Sequence, residues 1–171
     1  RILLVGVMVC LLASGLAYWL LCNNVHEVVP GQYYRSAQLS PHDLSKVIKH
    51  YGIKSVVNLR GAHHEQWYVD EKRVVDRLNV HYYKLPLGAY DLPSFSSAHE
   101  LVHLMKTAPQ PILFHCLGEG DRSGLASAIA MLLAGDTLQQ ASDQVSWRYL
   151  VVSKRSVGRQ FFPLYALWLD E

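Results

Sequence analysis

Two kinds of hydrophobic spacing divide the chain. From Ile2 to Cys22 the residues are uncharged and dominated by Leu, Val and Ala, with no polar face to interrupt them. That run is long enough for a helix to cross the roughly 30 Å hydrocarbon core of a bilayer. Beyond it, short apolar runs alternate with stretches of helical periodicity. Val28 to Ser36 reads as a turn and a strand. Ser40 can cap a helix with Pro41 at its first position, Leu44, Val47, Ile48 and Tyr51 on its inner face and Gly52 at its end. Ile53 to Leu59 follows as a strand. Glu65 to Leu78 predicts an amphipathic helix, Trp67, Val74, Val75 and Leu78 inward and Glu71, Lys72, Arg73 and Asp76 on a solvated face. Val80 to Leu85 is the next strand, Pro86 to Pro93 a loop, and Phe95 to Lys106 a helix whose inner stripe is Leu101, Leu104 and Met105. Asp136 or Thr137 can cap a further helix through Val145, and Phe161 to Leu169 predicts the last. Strands alternating with helices imply an α/β layer fold, a central and mostly parallel sheet flanked by helices, preceded here by one transmembrane helix.

The most informative stretch lies between two of these elements. Ile112, Leu113 and Phe114 form a short apolar run typical of a buried parallel strand, and Leu125 to Ala134 is rich in good helix formers. Between them stands Cys116-Leu117-Gly118-Glu119-Gly120-Asp121-Arg122-Ser123. Gly118 and Gly120 are expected to take positive φ, so that successive N–H groups of residues 117–122 point inward as an anion-binding nest at the mouth of the helix. A thiol facing a helix N-terminus and a guanidinium is favoured as its thiolate, which makes Cys116 a candidate nucleophile. Arg122 offers a planar fork to two oxygens of a phosphoryl group, and Ser123 can hydrogen-bond a departing thiolate.

The pattern His115-Cys116-x5-Arg122-Ser123 resembles the signature loop of the cysteine-dependent protein tyrosine and dual-specificity phosphatases. The Tyr34-Arg35-Ser36-Ala37-Gln38 stretch, followed by a helix and Val56-Val57-Asn58-Leu59-Arg60, is similar to the opening of the bacterial and atypical dual-specificity members. The resemblance covers most of residues 30 to 150. It implies the fold already expected, catalysis without a cofactor or metal, and a general acid on a loop after a strand. Asp91, 25 residues before Cys116, is the candidate for that acid. The other reading of Asp91 is a cap for the helix starting near Ser94. Asp121 is expected to brace the loop, and Gln144, Arg148 and Arg155 are weaker candidates for the substrate rim.

Composition narrows the alternatives. Sixteen basic and fourteen acidic residues, with no basic block, leave no electrostatic footprint for nucleic acid. The three cysteines stand at 10, 22 and 116, so residues 23–171, the expected catalytic domain, hold one thiol and no internal disulfide. His63 and His64 are adjacent and point in different directions, with no third ligand placed by spacing. Residues 1–22 read as an anchor, with Tyr18 and Trp19 as an interfacial belt. The rival is an uncleaved signal peptide with Gly15-Leu16-Ala17 at its cleavage site. Arg1 precedes the segment, whereas Asn23, Asn24 and Glu27 follow it and the next Lys or Arg is Arg35, so the positive-inside rule directs the domain outward. The expectation is a single-pass protein of a bacterial inner membrane, facing the periplasm. It would be a dual-specificity or tyrosine protein phosphatase, or alternatively a phosphatase of single-phosphate membrane lipids such as phospholipid, lipid A or polyprenyl phosphate. An inactive phosphate-binding module and a thiol oxidoreductase or rhodanese-like carrier are the rivals from other classes, and the second has no required role for Arg122.

Overall fold

A computed structural model describes residues 25–61, 64–118, 120–149 and 151–169, together with 6–8, 10, 11 and 14. The expected membrane helix over Ile2–Cys22 falls mostly outside the described residues. Among those described, no helix is long and apolar enough to cross a membrane.

Four short strands run parallel and one antiparallel in a single sheet. The strands are β1 (His26–Val29), β2 (Tyr33–Ser36), β3 (Ser55–Asn58), β4 (His81–Lys84) and β5 (Ile112–His115), in spatial order β1-β2-β5-β3-β4. The segment expected as one turn and one strand is therefore a hairpin. Gly31 at φ 69° makes its turn, and Glu27 Oε1 accepts hydrogen bonds from the Gly31 N–H at 3.0 Å and the Tyr34 hydroxyl at 2.8 Å. β5 lies between β2 and β3, every residue of it buried, as its unbroken apolar run requires.

Helices cover both faces. Helices α1 (Pro41–Tyr51) and α2 (Gln66–Arg77) pack Leu44, Ile48, Val74 and Val75 against Tyr34, Val56 and Leu113 on one side. On the other, α3 (Phe95–Thr107), α4 (Asp121–Ala134) and α6 (Val157–Leu169) pack Leu101, Met105, Leu125, Ala126 and Val157 against Val57, Ile112 and Phe114. The alternation of Leu113 to one face and Ile112 and Phe114 to the other is the period-two rule of a strand. Caps follow the sequence closely. Ser40 accepts from the Asp43 N–H and Gly52 at φ 63° ends α1, while Gly135 at φ 95° ends α4. Thr137 forms a capping box with Gln140 at the start of α5 (Leu138–Ser142), which passes into 3-10 turns at Asp143–Val145 and Trp147–Tyr149.

Two expectations need correction. Glu71, placed on the solvated face of α2, is only 3% exposed and points into the core. The last helix begins at Val157, ahead of the expected Phe161, because Gly158 acts as a packing residue and not as a breaker. A Cβ built on Gly158 would fall 2.3 Å from Val145 Cγ1. Gly158→Ala should therefore lower stability by about 1–3 kcal/mol by overpacking, and Val145→Ala in the same chain should return part of that loss. Thermal or urea unfolding checks it. An unchanged midpoint for the single variant would contradict the close packing of α6 on the 3-10 turn.

Candidate active site

The carboxyl ends of the parallel strands gather the candidate residues, as expected for an open α/β sheet. At that end Ser36, His115 and Asn58 stand in one row across β2, β5 and β3, and Cys116 follows immediately. Cys116 is 2% exposed and Ser123 fully buried. The Ser123 hydroxyl donates to Cys116 Sγ at 2.9 Å. The loop leaves the sheet pinned on both sides, since the Gln38 N–H donates to the Leu117 carbonyl at 3.2 Å and the Leu59 N–H to the His115 carbonyl at 2.9 Å.

The loop turns without left-handed backbone at its glycines. Neither Gly118 nor Gly120 has positive φ, contrary to the expectation, and Gly120 serves as the N-cap of α4 at φ −68°, ψ −72°. Gly118 instead leaves open space where a side chain would project. Glu119 lies outside the described residues. Asp121 and Arg122 open α4, and Arg122 Nε is buried with no hydrogen-bond acceptor among the described residues. Arg122 follows the buried thiol by six positions and stands in the first turn of α4.

Gly124 has another reason to be glycine. A Cβ there would come within 3.1 Å of the Gln144 carbonyl and of Val145 Cγ1. This close approach lets Arg35, fully buried on β2, reach across behind the helix start. Its Nη1 donates to the Gln144 carbonyl at 2.8 Å and to Gln144 Oε1 at 3.0 Å, and its guanidinium carbon sits 4.3 Å over the Tyr149 ring. Gln144 is thereby committed to Arg35 and is not a rim residue. Arg148 and Arg155 are exposed.

Asp91 is exposed on the loop that follows β4. It does not cap α3, because Ser94 does so, accepting from the Ser97 N–H at 3.1 Å. The loop folds tightly, so that a Cβ on Gly88 would lie 3.3 Å from Asp91 Cβ. It is tied to α6 by the Val157 N–H donating to the Ala89 carbonyl at 2.9 Å and Gln160 Nε2 donating to the Tyr90 carbonyl at 2.7 Å. Val157 packs in the same core cluster as Leu125 of α4, so the Asp91 loop is held towards the helix that carries Arg122. His63 lies outside the described residues and His64 is exposed.

Sequence reasoning missed a buried polar cluster behind the loop. Glu71 accepts from Gln38 Nε2 and from the Tyr82 hydroxyl, each at 2.5 Å. Asn58 Nδ2 donates to the Tyr82 oxygen at 2.8 Å. His115 Nε2 lies 3.0 Å from Glu71 Oε1. Burial alone pushes the Glu71 carboxyl up, but His115, Tyr82 and Gln38 outweigh it and hold it below the usual 4.5. Burial, and then the Glu71 charge, push the Tyr82 phenol up. A signal for Glu71 was present in the sequence. Positions 67, 71, 74, 75 and 78 fall on one helical stripe.

No protein-family profile and no curated protein matches the sequence. Solved structures do match the fold. The core catalytic domain of the PP-IP phosphatase Siw14 from S. cerevisiae superposes with a TM-score of 0.69 at 22% identity, over 82% of this chain and 84% of that one. TpbA from P. aeruginosa gives 0.64 at 18% identity, over 86% and 90%. A cysteine-to-serine form of TpbA in complex with phosphotyrosine gives 0.61 at 19%, over 86% and 89%. The chain shares the fold of these phosphatases.

Because Glu71 is held below its ordinary range, its contribution to stability is complete at neutral pH and is lost as pH falls through the lowered value. Glu71→Gln should cost about 1–3 kcal/mol at pH 7, and its deficit relative to the parent should shrink as pH drops below the usual carboxylate value of 4.5. Urea unfolding at several pH values measures this. A deficit that stays constant into acid would contradict the ionised, buried carboxylate.

Proposed function

We propose that the chain is a phosphoric monoester hydrolase acting through a phosphocysteine intermediate, with a dual-specificity or tyrosine protein phosphatase as the leading reading. The observation that carries it is the 2.9 Å contact of the Ser123 hydroxyl with the buried Cys116 Sγ, at the start of the helix that carries Arg122. The same fold in phosphatases, one of them bound to phosphotyrosine, supports it.

In this reading the Cys116 thiolate attacks phosphorus and forms the S–P bond, while the P–O bond to the leaving group breaks and Asp91 supplies that oxygen with a proton. Arg122 and the N–H groups of residues 117–122 stabilise charge on the three non-bridging oxygens. Water then attacks phosphorus. Asp91, now ionised, takes the water's proton, the S–P bond breaks, and the Ser123 hydroxyl donates to the departing thiolate. The cluster of Glu71, His115, Tyr82 and Gln38 positions the strand end and the loop, and touches no reacting atom.

A second reading of the substrate is a single-phosphate membrane lipid, which the apolar run of residues 2–22 does not separate from a membrane protein. As a single-pass anchor in a bacterial inner membrane, with residues 23–171 in the periplasm, that run would keep the site near membrane proteins and single-phosphate lipids alike. The acidic side chains Glu119 and Asp121 disfavour a polyphosphorylated headgroup by charge repulsion.

Cys116→Ser should abolish turnover of an aryl phosphate and leave binding of a phosphate analogue largely intact, and a chelator should not lower wild-type activity. Turnover by the purified serine variant would remove the covalent route. Asp91→Asn should cost roughly 100-fold or more with poor leaving groups and far less with activated aryl phosphates, which need little protonation. Steady-state kinetics on both substrate types decide it, and equal losses would place the acid elsewhere. Parallel rates on phosphotyrosine peptides, lipid monophosphates and an inositol polyphosphate rank the substrates. A preference for the last would overturn the charge reasoning.

A further inference from the structure

We propose that the end of the sheet bearing Cys116 docks on an anionic bilayer surface through the segment from Trp147 to Arg155, an inference that rests on the membrane-anchored reading above. The topology comes first. β1 runs antiparallel to the others, so its start, His26, lies at their carboxyl end, paired with Arg35, which in turn pairs with Phe114. Two strand spacings, roughly 10 Å, separate His26 from Phe114, and Cys116 is two residues further on. Only Asn23, Asn24 and Val25 stand between Cys22 and His26, and four residue steps span at most about 14 Å. An anchor over residues 2–22 would therefore have its exit point near the catalytic end of the sheet.

The surface found there has the composition of an interfacial membrane contact. Trp147 is 81% exposed and Val152 78% exposed. Between and beside them Arg148, Lys154 and Arg155 are exposed, and the stretch from 144 to 155 contains those three basic residues and no acidic one. Large exposed apolar side chains interspersed along the stretch with cations suit a surface of anionic headgroups over hydrocarbon. The apolar groups are held outward. Val145, Tyr149 and Val151 are buried as a small cluster, and Arg159 donates from Nε to the Val145 carbonyl at 3.2 Å and from Nη2 to the Val151 carbonyl at 2.6 Å. The segment also meets the anchor side directly, with the Tyr149 ring packed edge-on against His26, centroids 5.0 Å apart. A site seated this way takes phosphate esters presented at the bilayer surface in preference to those free in solution.

The test uses the full chain reconstituted into vesicles of phosphatidylethanolamine and phosphatidylglycerol whose acyl chains carry bromine near the headgroup. The emission of Trp147 is obtained as the difference between the parent and Trp147→Phe, which removes the contribution of the other tryptophans. Docking predicts that brominated lipid quenches most of that difference emission, that aqueous iodide quenches little of it, and that Arg148→Glu, Lys154→Glu and Arg155→Glu together reverse the pattern. Difference emission that is untouched by brominated lipid and quenched by iodide would overturn the proposal, as would capture of this face by a protein partner that leaves Trp147 outside the lipid. Flotation of the same chain with the vesicles at high salt reports separately on the membrane-anchored reading, since the chain can float without quenching of the Trp147 emission, and turnover of a soluble aryl phosphate reports on the phosphatase reading.

Discussion

A carboxylate taken out of water must be met by donors from every direction, and at Glu71 that requirement draws four segments together behind the Cys116 loop. Gln38 comes from the link between β2 and α1, Tyr82 from β4, His115 from the end of β5, and Glu71 itself from α2. Removing any of these partners would leave a desolvated charge, whose cost is several times that of an ordinary hydrogen bond. The cluster therefore fixes where β5 stops. Gln38 extends the constraint to the loop, because its side chain serves Glu71 while its backbone N–H holds the Leu117 carbonyl at 3.2 Å.

The opposite flank of the loop is fixed by a buried cation. Arg35 reaches Gln144 and lies over Tyr149, and this is possible because Gly124 allows the 3-10 turn to approach α4 closely. Between the carboxylate on one side and the guanidinium on the other, the thiol and the start of α4 have little freedom. A site that must meet a phosphoryl group with preformed donors gains from such rigidity, since the donors need not reorganise as charge develops. The Asp91 loop differs, being exposed and joined to the rest through two backbone carbonyls at Ala89 and Tyr90. A proton donor that has to approach and withdraw is well placed on a segment of that kind.

Local features were legible in the sequence, and long-range ones were not. The strand, loop and helix around Cys116 could be read because each depends on neighbours a few positions away, as could the Ser40 and Thr137 caps and the glycine at 52. Gln144, the partner of Arg35, lies 109 positions distant in sequence and the partners of Glu71 lie 11 to 44 positions from it, and no local rule specifies them. The charges at Lys72, Arg73 and Asp76 dominate the sequence pattern of α2 and group Glu71 with them, although its own spacing from Val74, Val75 and Leu78 places it on the inner stripe. Gly118 and Gly120 were assigned the wrong conformation for a related reason. Glycine permits positive φ without requiring it, and here a close N-cap and open space above the loop account for the two positions.

The central claim is that the sulfur of Cys116 carries the phosphoryl group during turnover. Intact-mass and peptide mass spectrometry of the protein, quenched in acid during hydrolysis of an aryl phosphate, tests it directly. The account predicts an added phosphoryl mass confined to the peptide containing Cys116, present only while substrate remains and retained longer when Ser123 is replaced by Ala. Turnover without any such adduct, or an adduct that fragmentation assigns to a residue other than Cys116, would contradict it.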